Sequence, residues 1–252
     1  MTTDIATLHA ESSRDDSHFQ TPFGYERWVR FGANWTMIIS PYMILYFILV
    51  IALGGGRDDS NNFATLLESA GKSPIPYIAV VFLDGLFHAL AFVTFVTLFT
   101  VLRVTFPVQA NLILVCGAWQ MLMGFTKGLI ASYVFPRLGM AYLTADPTLR
   151  SALIPVASAM DGLRTAMQWM DSLGVMFGWI LVSLLTQSSN LPRPIRWLGW
   201  IMAFAILVPE WIFPGFALVI LLSPPWLFLL GRWMKRLTLS PVPTQEMTGV
   251  NP

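Results

Sequence analysis

The chain has 252 residues, 55% of them hydrophobic and only 12% charged, with a formal net charge of +1 and a mean hydropathy of +0.63. A soluble domain averages about 25% charged residues, so this composition excludes an ordinary water-soluble core and offers no basic footprint for nucleic acid. The length allows one membrane domain with short tails, and the single cysteine, Cys116, rules out an intramolecular disulfide and argues against a cysteine-held metal.

Residues 1–32 read as a polar tail without the basic start, apolar stretch and cleavage site of a secretory signal. Within it, residues 21–31 alternate aromatics with charges, which suits a segment lying at headgroup level; a disordered tail ending in interface anchors reads equally well. Ala33 to Gly54 carries no charge over 22 positions and stops at Gly54, Gly55 and Gly56, so it is expected to be span one. Arg57 to Pro74 reads as a polar loop. Span two, Ile75 to Leu102, holds only Asp84 and His88 from the Asp, Glu, Lys, Arg and His set. Val108 to Phe135 is span three, interrupted by Lys127 and expected to close at Pro136 and Arg137; Asp146, Pro147 and Arg150 then read as a turn and a helix start.

Ser151 to Gln187 is expected to form one tilted helix, with Asp161, Arg164 and Asp171 in its outer part and no charge from Ser172 onward. Pro192, Arg193 and Pro194 make a stiff turn into span five, and Glu210, beside Pro209 and shortly before Pro214 and Gly215, marks a hairpin. Span six then runs from about Gly215 to Trp233, kinked at Pro224 and Pro225. A single long broken helix, giving five spans, is the alternative. The expected fold class is therefore all-α, a polytopic helix bundle over residues 33–236, with residues 237–252 as a flexible tail.

Six spans put both ends on one side. That side holds nine basic residues (Arg14, Arg27, Arg30, Arg103, Arg193, Arg196, Arg232, Lys235 and Arg236) against four opposite (Arg57, Lys72, Arg137 and Arg150), so the positive-inside bias points both termini to the cytoplasm of a bacterial plasma membrane. Trp28, Trp35, Trp197, Trp200 and Trp233 fall near the same boundary, as an aromatic belt would.

Alternating helix direction brings Asp84, His88, Lys127, Asp161, Arg164, Asp171 and Glu210 to one half of the membrane, whichever way the protein is inserted. Asp161, Arg164, Gln168 and Asp171 follow steps of three, four and three, and Gln120 and Lys127 are seven apart, so each set forms one helical stripe that can face the bundle interior. Without the histidine, four carboxylates face two cations, a surplus of two negative charges that a low-dielectric interior resists. At least one carboxyl, Asp84 or Asp171, is expected to hold a proton or a cation, with Lys127 and Arg164 as counter-ions. Blander readings stand beside this one. Asp161 and Arg164 suit an i,i+3 anchor pair, Glu210 a solvated loop, Asp84 and His88 a structural hydrogen bond between spans, and Lys127 a side chain snorkelling outward. Met121, Met123, Met160, Met167, Met170 and Met176 would suit a plastic apolar pocket or plain packing, and Gly174 and Gly178 close helix contact.

The chain carries no phosphate-binding glycine loop, HExxH or G-x-S-x-G motif. His88 is the one histidine in a span, which excludes a bis-histidine haem and a three-histidine metal site, so no cofactor is expected. The stretch from Asp171 to Arg236, with MDSLGVMFGWILVSLL, LPRPIRWLGWIMA and FPGFALVILLSPPWLFLLGRWMKR, resembles the C-terminal half of a family of uncharacterised six-helix bacterial membrane proteins, a domain of unknown function. The resemblance implies a compact helical bundle and supplies no activity. Function is left with three expectations: binding or transport of a small amphipathic molecule in an outward-biased polar pocket, with a proton on Asp84, His88 or Asp171; an intramembrane isomerase or cyclase using acid and base groups on a lipid-like substrate; or an accessory subunit whose polar stripes meet a partner helix in the bilayer. No internal repeat of spans is visible, which weakens the carrier form.

Overall fold

A computed structural model describes residues 25–52, 62–184, 191–208 and 215–237, and every regular element among them is an α-helix. In chain order these are α1 Glu26–Ala52, α2 Phe63–Lys72, α3 Pro74–Leu102, α4 Pro107–Thr144, α5 Pro147–Leu184, α6 Arg193–Leu207 and α7 Gly215–Leu237. Proline at the first position of α3, α4 and α5 suits a helix start, where its missing N–H would have no intrahelical partner. Asp146 caps α5 by accepting from the Leu149 N–H at 2.8 Å.

Four described helices are long and apolar enough to cross a membrane: α3, α4, α5 and residues Ala217–Leu237 of α7. Large apolar side chains also stand exposed on the outside of the bundle, among them Ile48, Val115, Leu122, Phe177, Phe204 and Leu221. Helices apolar on both their packed and their outer faces are what a lipid surround requires.

Apart from α2, the helices close a ring in which each touches two neighbours: α1–α3, α3–α4, α4–α5, α5–α6, α6–α7 and α7–α1. Most seams carry a side chain donating to a main-chain carbonyl of the neighbouring helix. Trp35 donates to Leu90 O at 3.0 Å and Tyr42 to Leu83 O at 2.8 Å between α1 and α3. Trp119 reaches Met170 O at 2.9 Å, Trp226 reaches Ile195 O at 3.0 Å, and Ser40 reaches Pro224 O at 2.9 Å. A helix carbonyl has a second lone pair for such bonds, and they add orientation where lipid offers no hydrophobic force between helices. The α3–α4 seam closes instead through small residues: a Cβ on Gly128 would stand 2.7 Å from Gly85 Cα. Gly174 likewise lies against α4, where an added Cβ would meet Trp119, and Gly178 lies against Phe95 of α3.

Three expectations need correction. The polar loop 57–74 contains a helix, α2, capped by Asn62 accepting from the Thr65 N–H at 3.2 Å. It buries Leu67 and Ala70 against Ala131, Phe135, Tyr142 and Ala157, outside the ring. Span three does not close at Pro136, because α4 runs through it to Thr144. Phe135, Pro136, Gly139 and Tyr142 are buried there, and the packing of α2 offsets the roughly 3 kcal/mol that an internal proline costs a helix. The proposed headgroup segment 21–31 is, from Glu26 on, the first turns of α1; residues 21–24 lie outside the described residues. α6 and α7 are separate helices packed antiparallel, since Ile195 pairs with Trp226 and Met202 with Ser223. The hairpin residues 209–214, Glu210 included, lie outside the described residues, as do residues 238–252 of the tail.

Candidate functional site

The ring encloses a cavity of about 230 Å³ lined from α1, α3, α4, α5, α6 and α7. Along α3 the lining runs from Asp84 and His88 to Ala91, Thr94, Phe95 and Leu98, and along α5 from Gln168, Asp171 and Ser172 to Val175 and Trp179. One end is thus polar and the other apolar, with Trp226 and Leu227 of α7 joining the apolar walls. The polar end begins about 15 Å from the start of α3, at 1.5 Å per residue, well inside a hydrocarbon layer of about 30 Å.

Lys127 organises the polar end. Its Nζ lies 2.7 Å from Asp84 Oδ2 and donates to Gln168 Oε1, so one ammonium joins α3, α4 and α5. The Lys127 side chain is 5% exposed, which rules out snorkelling. Asp84 also accepts from the Tyr46 hydroxyl of α1. His88 stands between two carboxylates, with Nε2 3.9 Å from Asp84 Oδ1 and Nδ1 3.2 Å from Asp171 Oδ1. The Gln120 amide nitrogen is 3.4 Å from the same Nδ1.

Glycine sets the histidine's position. A Cβ on Gly124 would overlap the His88 ring, so the imidazole lies against bare α4 backbone. Phe87 meets its edge, ring centres 5.6 Å apart. His88, Gln120, Lys127 and Asp171 are all buried.

The pairing is incomplete. Although His88 Nδ1 is 3.2 Å from Asp171 Oδ1, its direction does not make a hydrogen bond, and among the described residues neither Asp171 Oδ1 nor Gln120 Oε1 has a hydrogen-bond partner in the protein. An unsatisfied buried polar atom costs about 1–3 kcal/mol, so two at one place single out this end of the cavity.

Of the residues singled out in the sequence, Asp84, His88, Gln120, Lys127, Gln168 and Asp171 are brought to this cavity. Asp161 and Arg164 are not; they pair with each other at 2.8 Å along α5, the anchor geometry. The expected counter-ion role holds for Lys127, while Asp171 faces His88 and not Arg164. The methionine pocket is not found: the walls mix aromatic and aliphatic side chains, and among the described lining residues the one methionine is Met43. In the expected aromatic belt Trp28 and Trp197 are exposed, whereas Trp233 is buried in the core. Tyr46 and Ser172 are polar lining residues that reasoning from charge alone misses. The signal for Tyr46 was a tyrosine four residues after Tyr42 in a membrane helix, where a buried hydroxyl needs a partner.

Among the described residues no group of three or more His, Cys, Asp and Glu side chains is placed to hold a metal. No protein-family model, curated protein or solved structure matches the chain.

Proposed function

We propose that this is a multi-pass plasma-membrane protein of six spans with both termini in the cytoplasm, which binds or transports a small amphipathic molecule in an outward-biased polar pocket. The observation that carries the reading is the cavity itself, polar at one end, apolar at the other, and lined by each of the six ring helices. Ligand sites are commonly apolar concavities with a few convergent polar groups, and at about 230 Å³ this one falls at or below the small end of the usual range of roughly 300–1,000 Å³. Antiparallel packing of α6 on α7 supports six passes over five, although α6, at 15 residues or about 22 Å, must sit in locally thinned lipid or be extended by its flanks. The excess of Lys and Arg on one side supports the orientation. A proton on His88 would neutralise the carboxylate that Lys127 leaves uncompensated, which makes His88 the natural place for proton coupling.

Native mass spectrometry of the protein drawn directly from its membrane tests this. Retention of one small non-phospholipid molecule per chain is expected. A bare chain, or a stoichiometric protein subunit in its place, would count against it, the latter in favour of an accessory role. The position of His88 between Asp84 and Asp171 also favours a second reading, an intramembrane acid/base enzyme. Turnover of an isoprenoid or steroid-like compound, abolished by Asp84→Asn or Asp171→Asn in folded protein, would select it over transport.

A further inference from the structure

The bonding left open at the polar end has a sign. Lys127 is engaged by Asp84 and Gln168, and the Tyr46 hydroxyl is given to Asp84. Among the described residues, the cavity side-chain atoms without a hydrogen-bond partner, Asp171 Oδ1 and Gln120 Oε1, are both acceptors. Their residues are 2% and 5% exposed, so bulk solvent does not reach them. With Lys127 matched to Asp84, the carboxylate of Asp171 is the formal charge left over at this end when His88 is neutral. A group that completes the site must therefore donate more than one hydrogen bond and carry positive charge. A carboxylate, a phosphate or a carbonyl would add acceptors where acceptors are already in excess. A hydroxyl offers one proton and no charge. An alkylammonium offers several N–H donors on a compact cation, and carries an apolar body toward Phe95, Trp179 and Trp226.

On these grounds, and resting on the reading of the cavity as a ligand site, we infer that its ligand is a small protonated amine with an apolar, aromatic-sized body, the ammonium held by Asp171 and Gln120. A protonated His88, with Nδ1 at 3.2 Å from the same carboxylate oxygen, is the ammonium's competitor. The groups facing that imidazole are Asp84 on its own helix, Gln120 and the Gly124 backbone from α4, and Asp171 from α5.

Calorimetric titration of the full chain in nanodiscs, with 4-phenylbutylamine, 4-phenylbutan-1-ol and 5-phenylvalerate as matched probes, decides the matter; empty nanodiscs subtract partition into lipid. The amine is expected to bind more tightly than the alcohol by about tenfold or more, the worth of a hydrogen bond to a charged group, and the carboxylate not to bind. Asp171→Asn should erase the preference for the amine and leave the alcohol's affinity in place. Equal binding of amine and alcohol, preference for the carboxylate, or an amine preference that survives Asp171→Asn would each overturn the inference while leaving the cavity a ligand site. Binding of none of the three would overturn both. The selectivity among probes is read on the unaltered chain, so the test stands even if Asp171→Asn does not fold.

Discussion

Asp161 with Arg164 and Asp84 with Lys127 are acid–base pairs of nearly equal length, 2.8 and 2.7 Å, yet they belong to different parts of the protein and do different things. The first pair sits three residues apart on α5 and leaves the arginine side chain 31% exposed. The second crosses from α3 to α4, and its lysine side chain is 5% exposed. Distance alone does not separate them. What does is whether the charge can reach water once its partner is lost: a guanidinium a third exposed can, and an ammonium walled in by α3, α4 and α5 cannot.

That contrast can be broken by substitution, and the largest effect is expected when Lys127 loses its carboxylate. Asp84→Leu leaves the Lys127 ammonium, 5% exposed, inside the bundle with only the Gln168 amide oxygen, so unfolding in detergent should show a loss of about 3–5 kcal/mol, the scale for removing one partner of a buried pair. Next comes the glycine that seats the histidine. Gly124→Ala drives a methyl into the His88 ring, with an expected loss of about 1–3 kcal/mol from overpacking. Gly162, on the same stretch of α5 as the outer pair, has nothing within 4 Å of an added Cβ. Gly162→Ala should therefore stabilise by about 0.5–1 kcal/mol through helix propensity, and a loss there would mean that this face is packed. The smallest effect belongs to the outer pair: Asp161→Asn should change the melting free energy by less than about 1 kcal/mol.

The same contrast explains what was legible in the sequence. Steps of three and four placed Gln168 and Asp171 on one stripe, and helix direction placed Asp84, His88 and Lys127 at a shared depth, because period and direction are properties of one chain segment. Asp161 and Arg164 lie on that stripe too, but a stripe runs the length of its helix, and the register of α5 against α4 decides which of its turns meets the cavity. Register is fixed by contacts such as Gly174 on Trp119 and Trp119 on Met170 O, which no single segment announces. α2 was hidden for a related reason. Its ten residues are too short and too polar to look like a span, and it is helical because Leu67 and Ala70 find Phe135 and Tyr142 on the far end of α4. That same burial carries α4 through Pro136. The aromatic walls stayed hidden because Phe and Trp that line a cavity and Phe and Trp that face lipid read alike in a sequence, as Trp226 and Trp197 illustrate.

A double-mutant cycle on Asp84→Asn and Lys127→Met tests most directly that charged groups from different helices meet inside this bundle. If they do, the two substitutions together should cost far less than their separate losses added, with a coupling of about 2 kcal/mol or more. Losses that add to within about 0.5 kcal/mol would mean that Asp84 and Lys127 stand in separate surroundings, and the polar end of the cavity would have no basis.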